Sequence, residues 1–321
     1  MKRALITGVD GFVGYYLAEH LLEEGYSLTG LDVQLHSIAT APFIDNISVV
    51  SCDILDRDLL EQIISEHKPE EIYHLAALAN IPQAIDQPKQ TLNVNIMGTL
   101  NLLEAVRSAG VNSRLLIVGS ASEYGVVSEG DLPIDENVPL NPGDPYSLSK
   151  VCGGLLAAQY WNRYSIPVIR VRPFTHIGPR QPLGYVTSDF SRQLAMIGTT
   201  GHDPTILVGN LDTARDFTDV RDIVRAYRLA LRDCRLGEVY NICSGRAVSI
   251  REILTRLVEL STLEVEIIQS DNLTRVADNP ILWGNCTAFE ELTGWQPEIP
   301  LSQTLLDILH YWKSEIAANS L

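Results

Sequence analysis

The chain has 321 residues, is 45% hydrophobic and 20% charged, and carries a formal charge of −16 at pH 7. These values fit a soluble globular protein with enough chain for one large domain or two, and exclude a disordered or low-complexity chain. So acidic a chain is also excluded as a non-specific binder of nucleic acid or of an anionic membrane, because both need clustered positive charge. The charge is unevenly spread. Residues 1–162 hold 8 Lys+Arg against 21 Asp+Glu, residues 163–275 hold 15 arginines and no lysine against 13 Asp+Glu, and residues 276–321 hold 1 against 6. An arginine block inside an acidic chain points to a small anionic ligand.

In chain order, Arg3–Thr7, Ser27–Asp32, Ile47–Cys52, Glu71–Leu75, Leu115–Gly119 and Val168–Val171 read as strands. Between them Phe12–Glu24, Asp58–His67, Thr91–Ala109 and Tyr146–Tyr164 carry apolar residues at helical spacing. Apolar strands alternating with helices predict an α/β fold, a doubly wound parallel sheet of Rossmann type covered on both faces. Beyond about residue 173 the pattern changes. Pro173–Gly184 reads as a loop, Val186–Ile197 and Val220–Arg232 as helices, and Ile206–Val208 and Glu238–Ile242 as short strands. Ser249–Leu260 opens with a Ser cap and Glu252 three residues on, a capping-box signal, and Ser302–Lys313 reads as a terminal helix. The expected division is a cofactor domain over 1–172 and a smaller mixed α/β region over 173–321, part of which packs back onto the sheet.

No apolar run is long enough to span a bilayer. Lys2-Arg3 before Ala4-Leu5-Ile6 has the start of a signal peptide, but Gly8, Asp10 and Gly11 break it, so this segment reads as mature protein. Cys52, Cys152, Cys234, Cys243 and Cys286 are widely spaced, odd in number and without a C-x-x-C pair. That pattern predicts reduced thiols in the cytoplasm and no metal site.

Gly8-Val9-Asp10-Gly11-Phe12-Val13-Gly14 follows the first strand and opens the first helix with G-x-x-G-x-x-G spacing. Glycines there let backbone approach a pyrophosphate at the positive helix end. A glycine triplet alone also serves as an ordinary tight turn; its position between strand and helix favours the dinucleotide. Asp32 ends the second strand, where a carboxylate accepts the adenosine ribose hydroxyls and repels a 2′-phosphate, which favours NAD(H) and leaves NADP(H) open. Asp53-Ile54 ends the third strand and can approach the adenine, although Asp53 reads equally well as a helix N-terminal residue. Leu75-Ala76-Ala77 ends the fourth strand with small residues that admit the cofactor, while His74 reads as a packed strand residue.

Tyr146 and Lys150 share one face of a helix that starts after Pro145. A lysine ammonium beside a tyrosine is expected to lower the phenol pKa and make Tyr146 an acid/base near neutral pH. Ser120 ends the fifth strand, and its hydroxyl can hold the oxygen that Tyr146 protonates. Y-x-x-x-K alone is cheap by chance; in this order, after a dinucleotide turn and a strand-end Ser, it is much less so.

On these motifs, with Asn95-Ile96-Met97-Gly98-Thr99 and Arg172-Pro173-Phe174, nearly the whole chain resembles the extended short-chain dehydrogenase/reductases that modify nucleotide sugars. The resemblance implies that Asn95 supports the central helix, that Lys150 also holds the nicotinamide ribose, and that Pro173 borders the cofactor. It also implies a homodimer through a four-helix interface built from Thr91–Ala109 and Tyr146–Tyr164, where Gly153-Gly154 and Ala157-Ala158 would permit close packing.

The second half is similar to the GDP-4-keto-6-deoxy-mannose reductases and, more distantly, to the GDP-mannose 4,6-dehydratases. The motifs are Thr175-His176-Ile177-Gly178-Pro179-Arg180-Gln181, Arg215-Asp216-Phe217-Thr218-Asp219-Val220-Arg221-Asp222, Val239–Gly245 and Thr293-Gly294-Trp295-Gln296-Pro297. This likeness implies that Arg215 and Arg275 grip the nucleotide diphosphate, Asp278 holds the nucleotide ribose, and Val186 and Arg192 line the base and diphosphate pocket, with Thr175 and Ser122 at the sugar. Arg225, Arg228 and Arg232 read as a solvated helix face. In the dehydratases a carboxylate stands two residues before the Tyr of the Tyr-Gly pair; here that position is Ser122, and Glu123, on a strand-like segment, would point the other way.

The expectation is therefore a 4-ketoreductase of a GDP-linked 4-keto-6-deoxy-hexose. An NAD-dependent GDP-sugar 4-epimerase or 4-dehydrogenase comes next, then a dehydratase, and, from a different class, a non-catalytic dinucleotide-sensing protein. Asp32, Thr175 where the family often has Asn, and Arg180 where it often has Gly depart from the reductase pattern.

Overall fold

The computed structural model describes residues 1–201, 203–270, 273 and 279–319. Its strands are β1 Arg3–Thr7, β2 Ser27–Asp32, β3 Ile47–Ser51, β4 Glu71–His74, β5 Arg114–Val118, β6 Val168–Pro173, β7 Thr175–Ile177, β8 Thr205–Val208, β9 Ala214–Asp219, β10 Val239–Ile242, β11 Ala247–Ser249, β12 Glu266–Gln269 and β13 Ile281–Leu282. Its helices are α1 Phe12–Glu23, α2 Arg57–His67, α3 Ile81–Asp86, α4 Pro88–Leu92, α5 Gly98–Ala109, α6 Pro145–Tyr164, α7 Val186–Thr200, α8 Val220–Asp233, α9 Ile250–Ser261, α10 Thr287–Thr293 and α11 Leu301–Asn319.

Among the described residues, seven parallel strands run in the order β10-β6-β5-β4-β1-β2-β3. The chain winds outward from β1 in both directions, so the strand order reverses between β1 and β4, beside the first strand-to-helix turn, where such sheets bind ligands. One apolar core lies between the sheet and α1 and α8; another lies between the opposite face and α2, α5 and α6. β10 and α8 come from the second half of the chain, so that half completes the first sheet. The remaining strands form a small sheet β11-β9-β13, with β7 also on β9, and the pair β12-β8. α7, α9 and α11 pack around a third core that contains Phe190, Leu254 and Leu305.

The expected elements differ from the observed ones in instructive places. Thr91–Ala109 is not one continuous helix: α4 ends at Leu92, Asn93–Met97 makes a π turn, and α5 begins at Gly98. The wider turn carries Asn95 inward, where its amide bonds Leu78 and Ser149. The Pro173–Gly184 segment contains β7, whose strand character is set by pairing with β9 and by no local signal. Ser249 caps α9 by accepting from the Glu252 N–H at 3.1 Å, but the Glu252 carboxylate pairs with Arg256, so only half of the capping box forms.

Arg225 and Arg228 are not a solvated face. Arg225 pairs with Asp222 and Glu298, and Arg228 with Glu24, which ties α8 to its neighbours; Arg232 pairs with Asp233 and is half exposed. On α6, Gly153 and Ala157 are buried inside their own subunit, whereas Leu148 and Leu155 stay 42% and 60% exposed on the other side, near the 41% exposed Met97. No helix among the described residues is long and apolar enough to cross a membrane.

Candidate active site

The glycine turn is shaped by close approach. The Gly8 N–H donates to the Leu31 carbonyl at 2.7 Å, which pulls the turn against β2. A methyl group added at Gly14 would lie 2.1 Å from the Gly8 carbonyl oxygen, and one at Gly8 would lie 2.7 Å from the Ala76 nitrogen. Only glycine permits that three-way approach of turn, helix start and β4 end. Gly11 and Phe12 open α1; Val13 packs on the core, and the Phe12 ring stacks on His176 at 6.3 Å.

Asp32 stands half-buried at the end of β2, accepting from the Asp10 N–H at 3.1 Å and the Val33 N–H at 2.8 Å. Burial raises its pKa, against the pull of those two backbone donors. Each carboxylate oxygen keeps acceptor capacity for a further hydroxyl. Asp53 is exposed and accepts from the Leu55 N–H at 2.9 Å, while the Ile54 side chain is buried against Gly98. Leu75 and Ala76 are held by the Thr7 carbonyl and hydroxyl. Ala76, Ala77, Asn95, Ser149 and Lys150 line one small cavity, which brings four sequence-predicted residues together. His74 bridges the Thr7 and Thr99 hydroxyls at 2.9 Å each; burial, with the Lys150 charge, takes it down to about 3. It is a neutral strand residue.

The Ser/Tyr/Lys set is assembled by two local devices. Asp144 accepts from the Ser147 N–H at 2.9 Å and caps α6, with Pro145 in its first turn, which fixes Tyr146 at the helix start. Ser120 lies two residues past the end of β5 and caps a short 3₁₀ turn over Ala121–Tyr124, where Glu123 folds back to accept from the Ser120 N–H at 2.9 Å. Glu123 is therefore not on a strand. It turns away from the substrate side for another reason: its other oxygen is taken by Arg172 at 2.8 Å.

Ser120 Oγ accepts from the Ser122 N–H at 3.1 Å and is 2.8 Å from the Ser122 hydroxyl. With both lone pairs engaged, the single Ser120 proton is left to donate, and Tyr146 lies within hydrogen-bond reach of it. Lys150 Nζ donates to the Val118 carbonyl at 2.9 Å and lies 5.8 Å from the Tyr146 ring centroid. Burial dominates both groups. It takes Lys150 down to about 8 and raises Tyr146, with the Ser120 hydroxyl pulling the phenol the other way. The expected depression of Tyr146 by Lys150 is thus not what this arrangement produces; the hydroxyl of Ser120 is the influence that favours phenolate.

On the substrate side, Thr175 is half-buried in β7, Val186 starts α7, and Arg192 lies half-buried on the same helix. Arg215, on β9, donates to the Ala214 carbonyl at 2.7 Å and forms no ion pair among the described residues; burial lowers its pKa. A half-buried cation without a carboxylate suits an anionic ligand. Arg275 and Asp278 lie outside the described residues. Sequence reasoning missed Asp216, which is buried and gathers the Ser244, Gly245 and Gly284 N–H groups beside Arg215. It also missed Tyr185, close enough to raise Tyr146, which carries no local motif. Arg180 sits at φ 68°, the conformation that suits the Gly expected there, and its guanidinium lies 3.9 Å from the Tyr15 ring centroid.

The GDP-mannose 4,6 dehydratase family matches residues 5–308. The GDP-6-deoxy-D-mannose reductase of Pseudomonas aeruginosa is 34% identical over 98% of each chain. The UDP-glucose 4-epimerase of Mycolicibacterium smegmatis is 31% identical over 98% of this chain and 99% of its own. The solved structure of RMD from Pseudomonas aeruginosa complexed with NADPH superposes with a TM-score of 0.88 at 34% identity, covering 98% of this chain and all of that one. The chain belongs to the GDP-mannose 4,6-dehydratase family, and so to the nucleotide-sugar enzymes of the extended short-chain dehydrogenase/reductases.

Proposed function

We propose that the chain is an NAD(P)H-dependent 4-ketoreductase of a GDP-linked 4-keto-6-deoxy-hexose. The observation that carries this reading is an assembled Ser120–Tyr146–Lys150 set with a hydroxyl, Ser122, where the dehydratases place their extra carboxylate. Elimination of water needs a second acid/base group; reduction of a ketone does not. The nearest carboxylate, Glu123, is tied to Ser120 N–H and Arg172.

The cradle closed by Gly8, Gly14 and Ala76 fits a pyrophosphate, and Asp32 fits an unphosphorylated ribose, which favours NAD(H) over NADP(H). When bound there, a reduced nicotinamide would supply hydride for C4. Tyr146 gives its proton to the C4 oxygen. Ser120 donates a hydrogen bond to the same oxygen and stabilises it as charge develops. The Ser120 hydroxyl also favours the phenolate left on Tyr146, while Lys150, protonated below about pH 8, holds the nicotinamide ribose. Arg215 and Arg192 hold the diphosphate; the family likeness adds Arg275 to that grip and Asp278 to the ribose, both outside the described residues.

The test is a single-turnover assay with GDP-4-keto-6-deoxy-mannose and each of NADH and NADPH. No cofactor oxidation with either rules the reductase out. Asp32 and the M. smegmatis relative favour one second reading, an NAD-dependent 4-epimerase, which would interconvert GDP-hexoses with catalytic NAD and no net consumption. We place a homodimer on the α5–α6 face, supported by the outward Met97, Leu148 and Leu155. Light scattering of Leu155→Arg reads it, since a charge there should give monomers.

A further inference from the structure

A buried chain of polar groups runs behind the catalytic serine. Glu123, 3% exposed, accepts from the Ser120 N–H with one oxygen and from Arg172 Nε with the other. Arg172, 7% exposed, also donates to the Tyr124 hydroxyl at 3.1 Å, and that hydroxyl donates to Asn241 Oδ1 at 2.7 Å. Asn241 in turn donates to the Ile134 carbonyl at 3.0 Å and, from its backbone N–H, to Glu136 at 2.7 Å. The chain thus couples the segment just after β5, which carries Ser120, to β6 and β10. Gly119 is shaped for it: a methyl group there would lie 2.1 Å from Glu123 Oε1.

A buried ion pair is a poor source of stability, because desolvation offsets the attraction. Well-packed apolar side chains would serve the fold as well. The pair's distinctive effect is directional: it fixes the backbone from which the Ser120 hydroxyl projects.

We propose that Glu123 is a positioning residue, which, clamped by Arg172, holds Ser120 in register with Tyr146. This rests on the reductase reading, since it assumes that Ser120 and Tyr146 act on one oxygen. The groups facing Glu123 are Arg172 and Arg170 from β6 and Lys150 and Tyr146 from α6; Glu123 opposes the effect of burial on Lys150 and adds to it on Tyr146.

Two variants test it. E123Q removes the charge and turns an amide toward Arg172. E123L/R172L removes both partners of the ion pair, so neither is left buried without the other, and it keeps a folded comparison if E123Q is unstable. Both are expected to lower kcat about 10-fold or more while KM for the nucleotide sugar stays within about 2-fold. E123Q should also move the alkaline limb of the kcat/KM profile to lower pH, because Lys150 loses its supporting charge. Hydrogen exchange of the Ser120 amide, read without substrate, should quicken about 10-fold in both. A folded E123L/R172L with wild-type kcat and wild-type Ser120 exchange overturns the proposal. If the wild type itself turns over no 4-keto sugar, the reductase reading fails, and the exchange result alone decides whether Glu123 holds Ser120.

Discussion

The proposed cofactor half and the proposed substrate half of the site are built from different materials. Around the glycine turn the shape is made by backbone: Gly8, Gly14 and Ala76 meet at distances that exclude a methyl group. Around Arg215 it is made by side chains, with a half-buried guanidinium that lacks an ion pair among the described residues and an Asp216 that gathers backbone N–H groups beside it. Backbone-built sites tolerate change at few positions but place the same ligand group each time. Side-chain sites can change ligand by exchanging one residue.

The sharpest way to test the comparison is at the junction of the halves. Tyr146→Phe should cut kcat about 1,000-fold by removing the proton donor, while the dissociation constant for NADH, read by fluorescence titration, stays within about 3-fold. A larger loss of NADH binding would mean that Tyr146 belongs to the cofactor half instead. Gly14→Ala should weaken NADH binding or fold stability by about 1–3 kcal/mol through the clash at Gly8, with calorimetry and thermal melts telling the two apart. Arg215→Ala should raise KM for the GDP-sugar about 10- to 100-fold, the loss of one charged hydrogen-bond donor, and leave NADH binding unchanged. Asp32→Ala should narrow any preference for NADH over NADPH by about 10-fold, since it removes one repelling charge.

The smallest effect is in pH. Burial holds Lys150 near 8, so kcat/KM measured below saturating cofactor should fall as pH rises through about 8. The same depressed pKa means that the folded state gives up this proton more readily than the unfolded chain. Its contribution to stability therefore improves as pH rises from about 8 toward the ordinary lysine value of 10.5. A limb well above 8 would show that Lys150 is better solvated, or better paired, than its contacts indicate.

The sequence exposes these halves unequally. Short apolar runs and helical periodicity mark β1 to β6 and α1, α2 and α6 to within a residue or two, because both faces of the sheet are buried and each helix packs one stripe. Gly8–Gly14 and Tyr146/Lys150 are legible because their spacing is the geometry. β7, β9, β11 and β13 are not, since short strands take their form from partners distant in the chain. Glu123 shows the same limit within the site. Alternation along a strand would turn it away from Ser120, but the 3₁₀ turn brings it back onto the Ser120 N–H, and nothing local announces Arg172 as its partner. Arg225 and Arg228 could not be told from surface cations until Asp222 and Glu24 were beside them.

β10 carries a consequence for how the molecule is made. It is the outermost strand of the large sheet and pairs with β6, yet it lies in the second half of the chain. During synthesis β6 emerges with an open hydrogen-bonding edge, and it keeps that edge until Val239–Ile242 has left the ribosome. The arginine-bearing half is therefore no portable cassette. Grafting it onto a relative's cofactor half would require the two edges to match in register, and a nascent chain stalled before residue 239 should expose β6 to pairing with other chains.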